Sequence, residues 1–335
     1  MAAFLRWLDP ILDPMACLPP PPVQTEIPEN ADVLLARLEV LLRQKLKYAM
    51  AGNQKGILRG TGLDFADLRE YRPGDDIRKM DWSVFARTLT PHVRDYHEEK
   101  QLTLWIVVDF TPSMRFGQQQ TKLSQAIELF GLLALLAQKA GHKLGACLIG
   151  PNRNNILPPG NGPGHARHLT QKLLHWAAHI DTQESAATGD PLKRTWQELN
   201  RVAARHSTVV ILSDFLDKWN PKAGQPHDGP WHLALGELSQ RVKLLCLMLS
   251  DPLETALPPA MGTLCLIDPE SAAPLEVDTQ NSACLQAYIR QAASYQESRL
   301  QQLKTLGAAT LVSTHHPPLD ALLSLLNGES RWWPR

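Results

Sequence analysis

The sequence predicts an α/β protein built on a central, mostly parallel sheet with helices on both faces, plus a small charged subdomain of strands and loops. Three observations carry this expectation. From Leu102 onward, short apolar runs alternate with longer segments of helical period, the pattern of repeated strand–helix units. Two runs, Leu102–Asp109 and Thr208–Ser213, are almost continuously apolar, as strands buried within a sheet are. Each delivers a carboxylate where the strand leaves the sheet, Asp109 and Asp214.

Taken in order, residues 1–30 read as a tail, because Leu18 to Pro22 is mostly proline and enters neither a helix nor a sheet interior. Residues 31–50 place Leu34, Leu35, Leu38, Leu41, Leu42 and Leu46 at helical spacing. Lys45 alone projects onto that stripe and has to snorkel outward. Residues 52–100 carry nine basic and nine acidic side chains with interleaved signs, a texture of loops and short strands tied by ion pairs or of a solvated surface. The sheet region then gives a strand at Leu102–Asp109, a helix at about Lys122–Ala140 and a strand at Leu144–Ile149, with Asn155–Leu157 as its hairpin partner. Helices follow at about His165–Ile180 and Leu192–His206, then the strand Thr208–Ser213, a helix at His232–Gln240 and the strand Val242–Leu249. The remainder reads as a strand (Thr263–Ile267), a long helix (Ala283–Leu306), a strand (Thr310–Val312) and a last helix (Leu319–Leu326). The chain thus divides into a proline-rich tail (1–30), a helix with the charged block (31–100) and the sheet domain (101–330).

Composition narrows the function classes. Of 335 residues, 44% are apolar and 20% charged, enough for a sizeable core, and the formal net charge is zero. No global basic field draws such a chain to nucleic acid or anionic lipid. The five cysteines form no CxxC pair, which suits a reducing compartment. No stretch approaches the roughly 18 apolar residues of a spanning helix, and the first fifteen residues lack the pattern of a signal peptide, so a soluble cytoplasmic protein without membrane insertion is expected.

The chemistry concentrates at Asp109-Phe110-Thr111-Pro112-Ser113. Ligands of open α/β sheets bind in the crevice beyond the carboxyl ends of the strands. One carboxylate and two hydroxyls there form a hard-oxygen set suited to Mg²⁺ or Mn²⁺, and Asp214 joins them if its strand is adjacent. The plainer alternative is that both aspartates cap the helices that follow, with Thr111 and Ser113 bonding the turn backbone. A phosphohydrolase with Asp109 as nucleophile needs a general acid two residues later, where this chain has Thr111. His165, His168, His175 and His179 share an arc of about 80° on one helix, but they flank an apolar face, and no acid in the helix completes a metal set. Trp332-Trp333 is either an anchor for a partner or a tail folded onto its own core.

The block Gly62-Leu63-Asp64-Phe65-Ala66-Asp67-Leu68-Arg69-Glu70-Tyr71-Arg72-Pro73-Gly74-Asp75-Asp76-Ile77-Arg78, followed by Asp81-Trp82, Ala86-Arg87 and Glu98-Glu99, closely resembles the signature of the family called domain of unknown function 58. Within it, Arg69, Tyr71, Gly74, Asp75, Arg78, Asp81, Trp82 and Arg87 stand out as the signature positions. Asp251-Pro252-Leu253-Glu254, Leu257-Pro258, Gly262 and Val277-Asp278-Thr279 resemble the family's C-terminal half.

The resemblance implies a Rossmann-like von Willebrand factor type A fold and a metal-ion-dependent adhesion site. Asp109, Thr111 and Ser113 take the first-loop positions, and Asp214 that of the later aspartate. The second loop, usually Gly-Gly-Thr-x-Leu, reads Thr188-Gly189-Asp190-Pro191-Leu192, so either Asp190 or Thr188 takes the threonine position. The implied role is a non-enzymatic adaptor: a partner's carboxylate completes the ion, and a MoxR-type AAA+ ATPase and a client protein are the implied partners in chaperone-like assembly. A metal-dependent phosphohydrolase and a scaffold with a vestigial metal site are the alternatives.

Overall fold

The structure, a computed structural model, describes residues 30–51, 65–73, 75–96, 102–150, 153–179, 191–216, 230–257, 263–267, 274–315 and 317–319, with residue 322. Residues 1–29 of the tail, the second loop with Thr188 and Asp190, and Trp332-Trp333 lie outside the described residues.

The first described element is α1 (Ala31–Ala51), followed by a small antiparallel pair, β1 (Phe65–Glu70) and β2 (His92–Tyr96), which brackets a short helix, α2 (Trp82–Thr88). The main run follows: β3 (Thr103–Asp109), α3 (Lys122–Lys139), β4 (Lys143–Ile149), β5 (Asn154–Gly160), α4 (Pro163–His179), α5 (Pro191–Val202), β6 (Thr208–Ser213), α6 (Pro230–Ser239) and β7 (Lys243–Ser250). A hairpin of β8 (Thr263–Ile267) and β9 (Pro274–Asp278) precedes α7 (Ser282–Leu306) and β10 (Ala308–Ser313). Six strands make the central sheet in the order β10-β7-β6-β3-β4-β5, all parallel except β5, which pairs antiparallel with β4 as the hairpin reading expects.

Strand period two divides β3 between two cores. Leu104, Ile106 and Val108 face a cluster built with α1, α3 and α4. Trp105 and Val107 face a second cluster with α5, α6 and α7. Sandwiched between the sheet and α1, α3 is buried along almost its whole length, from Lys122 to Ala137 with only Glu128 half-buried. That is why its sequence is apolar all round instead of striped. Of the six leucines expected to form the buried stripe of α1, Leu34, Leu38 and Leu42 are buried, while Leu41 is 42% exposed. Gly131 of α3 permits the close approach, since a Cβ there would meet Leu38 Cδ1 at 2.5 Å. Flanking ion pairs join Arg37 to Glu128 and Arg167 to Asp32.

Several boundaries differ from the sequence reading for identifiable reasons. β5 continues through Pro158 and Pro159, which an edge strand tolerates because no neighbour needs their missing amides. α5 ends at Val202, short of His206, which adopts a left-handed φ of 66°. β9 has no counterpart in the sequence reading. Neither has α2, which sits inside the charged block because Asp81 caps it, accepting from Ser83 N (3.0 Å) and Val84 N (3.2 Å). Of the last helix, residues 318, 319 and 322 are helical and the rest lies outside the described residues.

Truncating Leu38 to alanine opens a void between α1 and α3 and is expected to cost about 2–5 kcal/mol. Urea denaturation of Leu38→Ala reads this directly; a loss below about 1 kcal/mol would show that α1 contributes little to the core.

Candidate functional site

The chain enters the sheet at β3, proceeds outward to β4 and β5, and returns on the other side of β3 to lay down β6, β7 and β10. The sheet therefore reverses direction between β3 and β6, and crevices at such switch points are where ligands of open α/β sheets bind. Asp109 ends β3 and Asp214 follows β6, so both carboxylates stand at that crevice, as the sequence expects of neighbouring strands. The next strand, β7, is followed by a third acid, Asp251. All three are buried.

Asp109 sits within a cluster of neutral donors. Its Oδ1 accepts from Thr111 N at 2.9 Å, and its Oδ2 accepts from the Ser213 hydroxyl at 2.6 Å. Thr111 Oγ1 lies 3.2 Å from Ser113 Oγ, and Ser113 is buried in a 3-10 turn at Pro112–Arg115. The structure thus brings Asp109, Thr111 and Ser113 together. Among the described residues no ammonium or guanidinium pairs with Asp109. Burial, and then the charge of Asp214, push its pKa up to about 7, against the pull of the Ser213 and Thr111 bonds.

Asp214 is in a different situation. Its Oδ1 accepts from Leu216 N at 3.1 Å, and its Oδ2 takes a hydrogen bond of 2.6 Å from the ammonium of Lys122. The same ammonium donates to Glu254 Oε1 at 2.5 Å, and Lys122 has no exposed surface. Burial opposes ionisation of Asp214, but the Lys122 charge outweighs it and holds the carboxyl below its usual range. Lys122 responds in kind: burial works to lower its pKa, yet Asp214 and Glu254 hold it above the ordinary lysine value. Behind this pair, Arg299 donates to the carbonyl of Asp214 at 2.9 Å and stacks on Tyr295. A shallow depression opens beside Glu254, lined also by Tyr288, Tyr295 and Arg299.

Asp251 is absorbed by structure. It accepts from Leu253 N (2.9 Å), Gln118 N (3.0 Å) and the Thr314 hydroxyl (2.6 Å), and with Glu254 it forms a capping box on the 3-10 turn after β7. Asp109 does not cap the long helix that follows it, whose cap is Thr121; instead Thr111, Leu216 and Leu253 each donate an amide to the aspartate two residues earlier, closing local turns.

The fit of a divalent ion differs between the two halves of the crevice. Asp109, Thr111 and Ser113 supply hard oxygens, and the 3.2 Å between the two hydroxyls is close to the edge of about 2.9 Å expected of an octahedral Mg²⁺ shell. These three fit the ion. Asp214 fits less well as a direct ligand, because the Lys122 ammonium 2.6 Å from its Oδ2 already neutralises the carboxylate and repels a second cation. Among the described residues no three His, Cys, Asp or Glu side chains converge as a metal cluster.

Lys122, Ser213, Glu254 and Thr314 are the residues that sequence reasoning misses. Glu254 had a signal, since it lies in the Asp251–Glu254 motif. Of the helical histidines, His165 bonds the Leu144 carbonyl (2.8 Å), and His175 and His179 stack at 4.1 Å with His179 bonding the His175 carbonyl. Of the signature positions, Asp75 accepts from Arg72 N (2.8 Å), Asp81 caps α2, Trp82 is 61% exposed against Phe85, Tyr71 is half-buried, and Arg78 and Arg87 are exposed. Arg69 lies on β1 opposite Val93, and Gly74 is outside the described residues.

Fold and crevice together define an α/β protein whose hard-oxygen site stands at the switch point of a mostly parallel sheet. The chain matches the family "Protein of unknown function DUF58" over residues 67–298, and it belongs to that family. It is 30% identical over 278 residues to Uncharacterized protein Rv1480 of Mycobacterium tuberculosis, covering 83% of this chain and 82% of that one. It is 26% identical over 149 residues to Uncharacterized protein YeaD of Bacillus subtilis, covering 44% of this chain and 33% of that one. Among solved structures it is similar to a von Willebrand factor type A protein from Catenulispora acidiphila (8% identity, TM-score 0.35, 72% of this chain and 44% of that one). It is also similar to the SpRpn10 VWA domain (12% identity, TM-score 0.34, 67% of this chain and 95% of that one).

In the presence of chelator, the raised pKa of Asp109 gives a signed pH dependence. Between its ordinary value of 3.8 and about 7, the folded state binds more protons than the unfolded one. This group's contribution to stability is therefore intact below about pH 4, falls as pH rises and is gone above about 7. Asp109→Asn is expected to remove that slope, measured by urea unfolding of both proteins across the interval. An unchanged slope in the variant would rule Asp109 out as its source.

Proposed function

We propose that this chain is a non-enzymatic interaction module, an adaptor that holds Mg²⁺ or Mn²⁺ through Asp109, Thr111 and Ser113 and presents it to a partner protein. The observation that carries this reading is the clustering of one cation-free carboxylate with two hydroxyls at the sheet's switch point. A buried carboxylate without a positive partner is costly, and an ion supplies that partner. An ion held by one carboxylate and two hydroxyls keeps open positions that water or a partner's carboxylate can fill. Thr111 stands where a phosphohydrolase of the aspartate-nucleophile type needs its general acid, which supports recognition over hydrolysis.

Family membership supports a MoxR-type AAA+ ATPase as the partner, with a client protein brought to it for chaperone-like assembly. A cytoplasmic setting belongs to this proposal; among the described residues no helix is long and apolar enough to cross a membrane.

The test is a pulldown of the full chain from its native host, with and without chelator, beside Asp109→Asn. The expected outcome is an ATPase recovered by the wild type in Mg²⁺ and reduced by chelator or by the substitution. Recovery of no ATPase in either buffer rejects the partnership, and phosphatase turnover that disappears in Asp109→Asn would instead establish the enzyme.

A further inference from the structure

Lys122 occupies a position that local rules disfavour. It is the first residue of α3, after the cap Thr121, where the helix dipole repels a cation. It also has no exposed surface, and an unpaired ammonium is not tolerated in such a place. What keeps it there is a pair of carboxylates from two other segments, Asp214 after β6 and Glu254 in the turn after β7, at 2.6 and 2.5 Å. Each carboxylate completes its bonding with a backbone amide: Leu216 N to Asp214, and Asp251 N to Glu254 at 3.2 Å. The ammonium beside both carboxylates compensates their charge and repels an incoming divalent ion.

We infer that Lys122 is a built-in cation that takes the place of a divalent ion at Asp214. It ties together the start of α3 and the ends of β6 and β7, withdraws Asp214 from direct coordination, and leaves the crevice assembled without metal. Any ion is confined to Asp109, Thr111 and Ser113, a half of the site whose occupancy rests on the function proposed above. Asp214 then acts on that ion at a distance, through its charge and through Ser213, its neighbour in sequence, which bonds Asp109.

Two measurements on the full chain test this, thermal unfolding and calorimetric titration with Mg²⁺ alone. In chelator the wild type is expected to stay folded and melt cooperatively, because the Lys122 half needs no ion; any rise in melting temperature on adding Mg²⁺ comes from binding at the Asp109 half. Lys122→Met should melt well below it, and the neutral triple variant Lys122→Met/Asp214→Asn/Glu254→Gln should recover most of the loss, because removing a whole buried ionic group is far better tolerated than removing one member. A triple variant as unstable as Lys122→Met, or a Lys122→Met protein as stable as the wild type, overturns the inference. In the titration, Asp109→Asn should abolish Mg²⁺ binding while Asp214→Asn retains it, weakened by no more than about 10-fold to 100-fold, the cost of losing an outer partner. Loss of binding in Asp214→Asn as complete as in Asp109→Asn also overturns it. If the wild type itself binds no Mg²⁺, the proposed ion fails, and the built-in cation is decided by the melting series alone.

Discussion

A parallel sheet delivers its strand ends to one edge, so any acids that follow those strands are gathered into one crevice whether or not their charges are welcome there. In this chain three adjacent strands, β7, β6 and β3, are followed by or end in Asp251, Asp214 and Asp109, and Glu254 enters from the turn beside them. Two unit charges about 4 Å apart at an effective dielectric of about 20 interact by about 4 kcal/mol, so a crowd of like charges is not sustained without compensation. The ammonium of Lys122, set between Asp214 and Glu254, is the contact on which the remainder of this edge depends. Asp251 is compensated by amides and a hydroxyl, and Asp109 by the Ser213 hydroxyl and the Thr111 amide.

That single contact also accounts for features far from it. To place its first residue in the crevice, α3 has to run against the sheet and be covered on its far side as well. The covering is supplied by α1, brought in close over Gly131, and by α4. Burial of α3 from Lys122 to Ala137 thus links the charge arrangement at one end to the packing of the whole face. The opposite face, with Trp105 laid across Gly145 and with Trp196, Leu235 and Leu303 above it, carries Arg299 to the back of Asp214. Stability and site geometry are therefore coupled: loosening either core displaces a group that holds a carboxylate in place.

The sheet was legible in the sequence because its strands are continuous apolar runs and its helices carry a clear period; β6 and β8 agree residue for residue with the runs Thr208–Ser213 and Thr263–Ile267. The clustering of Asp109, Thr111 and Ser113 was legible for the same reason, since their spacing is local. Lys122 was not. Its partners lie 92 and 132 residues away, and the only local clue, a lysine at a helix N-terminus, points toward solvent and not inward. α2 was hidden because its cap, Asp81, reads as one more charge among eighteen, and β9 because Pro274 opens it.

Asp109 and Asp214 have pKa values driven apart, one raised to about 7 and one lowered, and such a divergence often separates an acid from a base in an enzyme. Here the cause of the divergence argues for another use. Asp214 is held ionised by the charge of the lysine beside it, so it is poorly placed to exchange protons during a reaction. Asp109 is raised because it is buried beside Asp214 without a cation of its own. A divalent ion would reverse that shift by giving the ionised form a partner, and it would have to displace a proton from about half of the molecules near neutral pH to do so. The same geometry that makes Asp109 a poor resting carboxylate makes it a ligand whose affinity for a cation rises with pH. Under the proposed function, the divergence separates a carboxylate reserved for structure from one available for recognition.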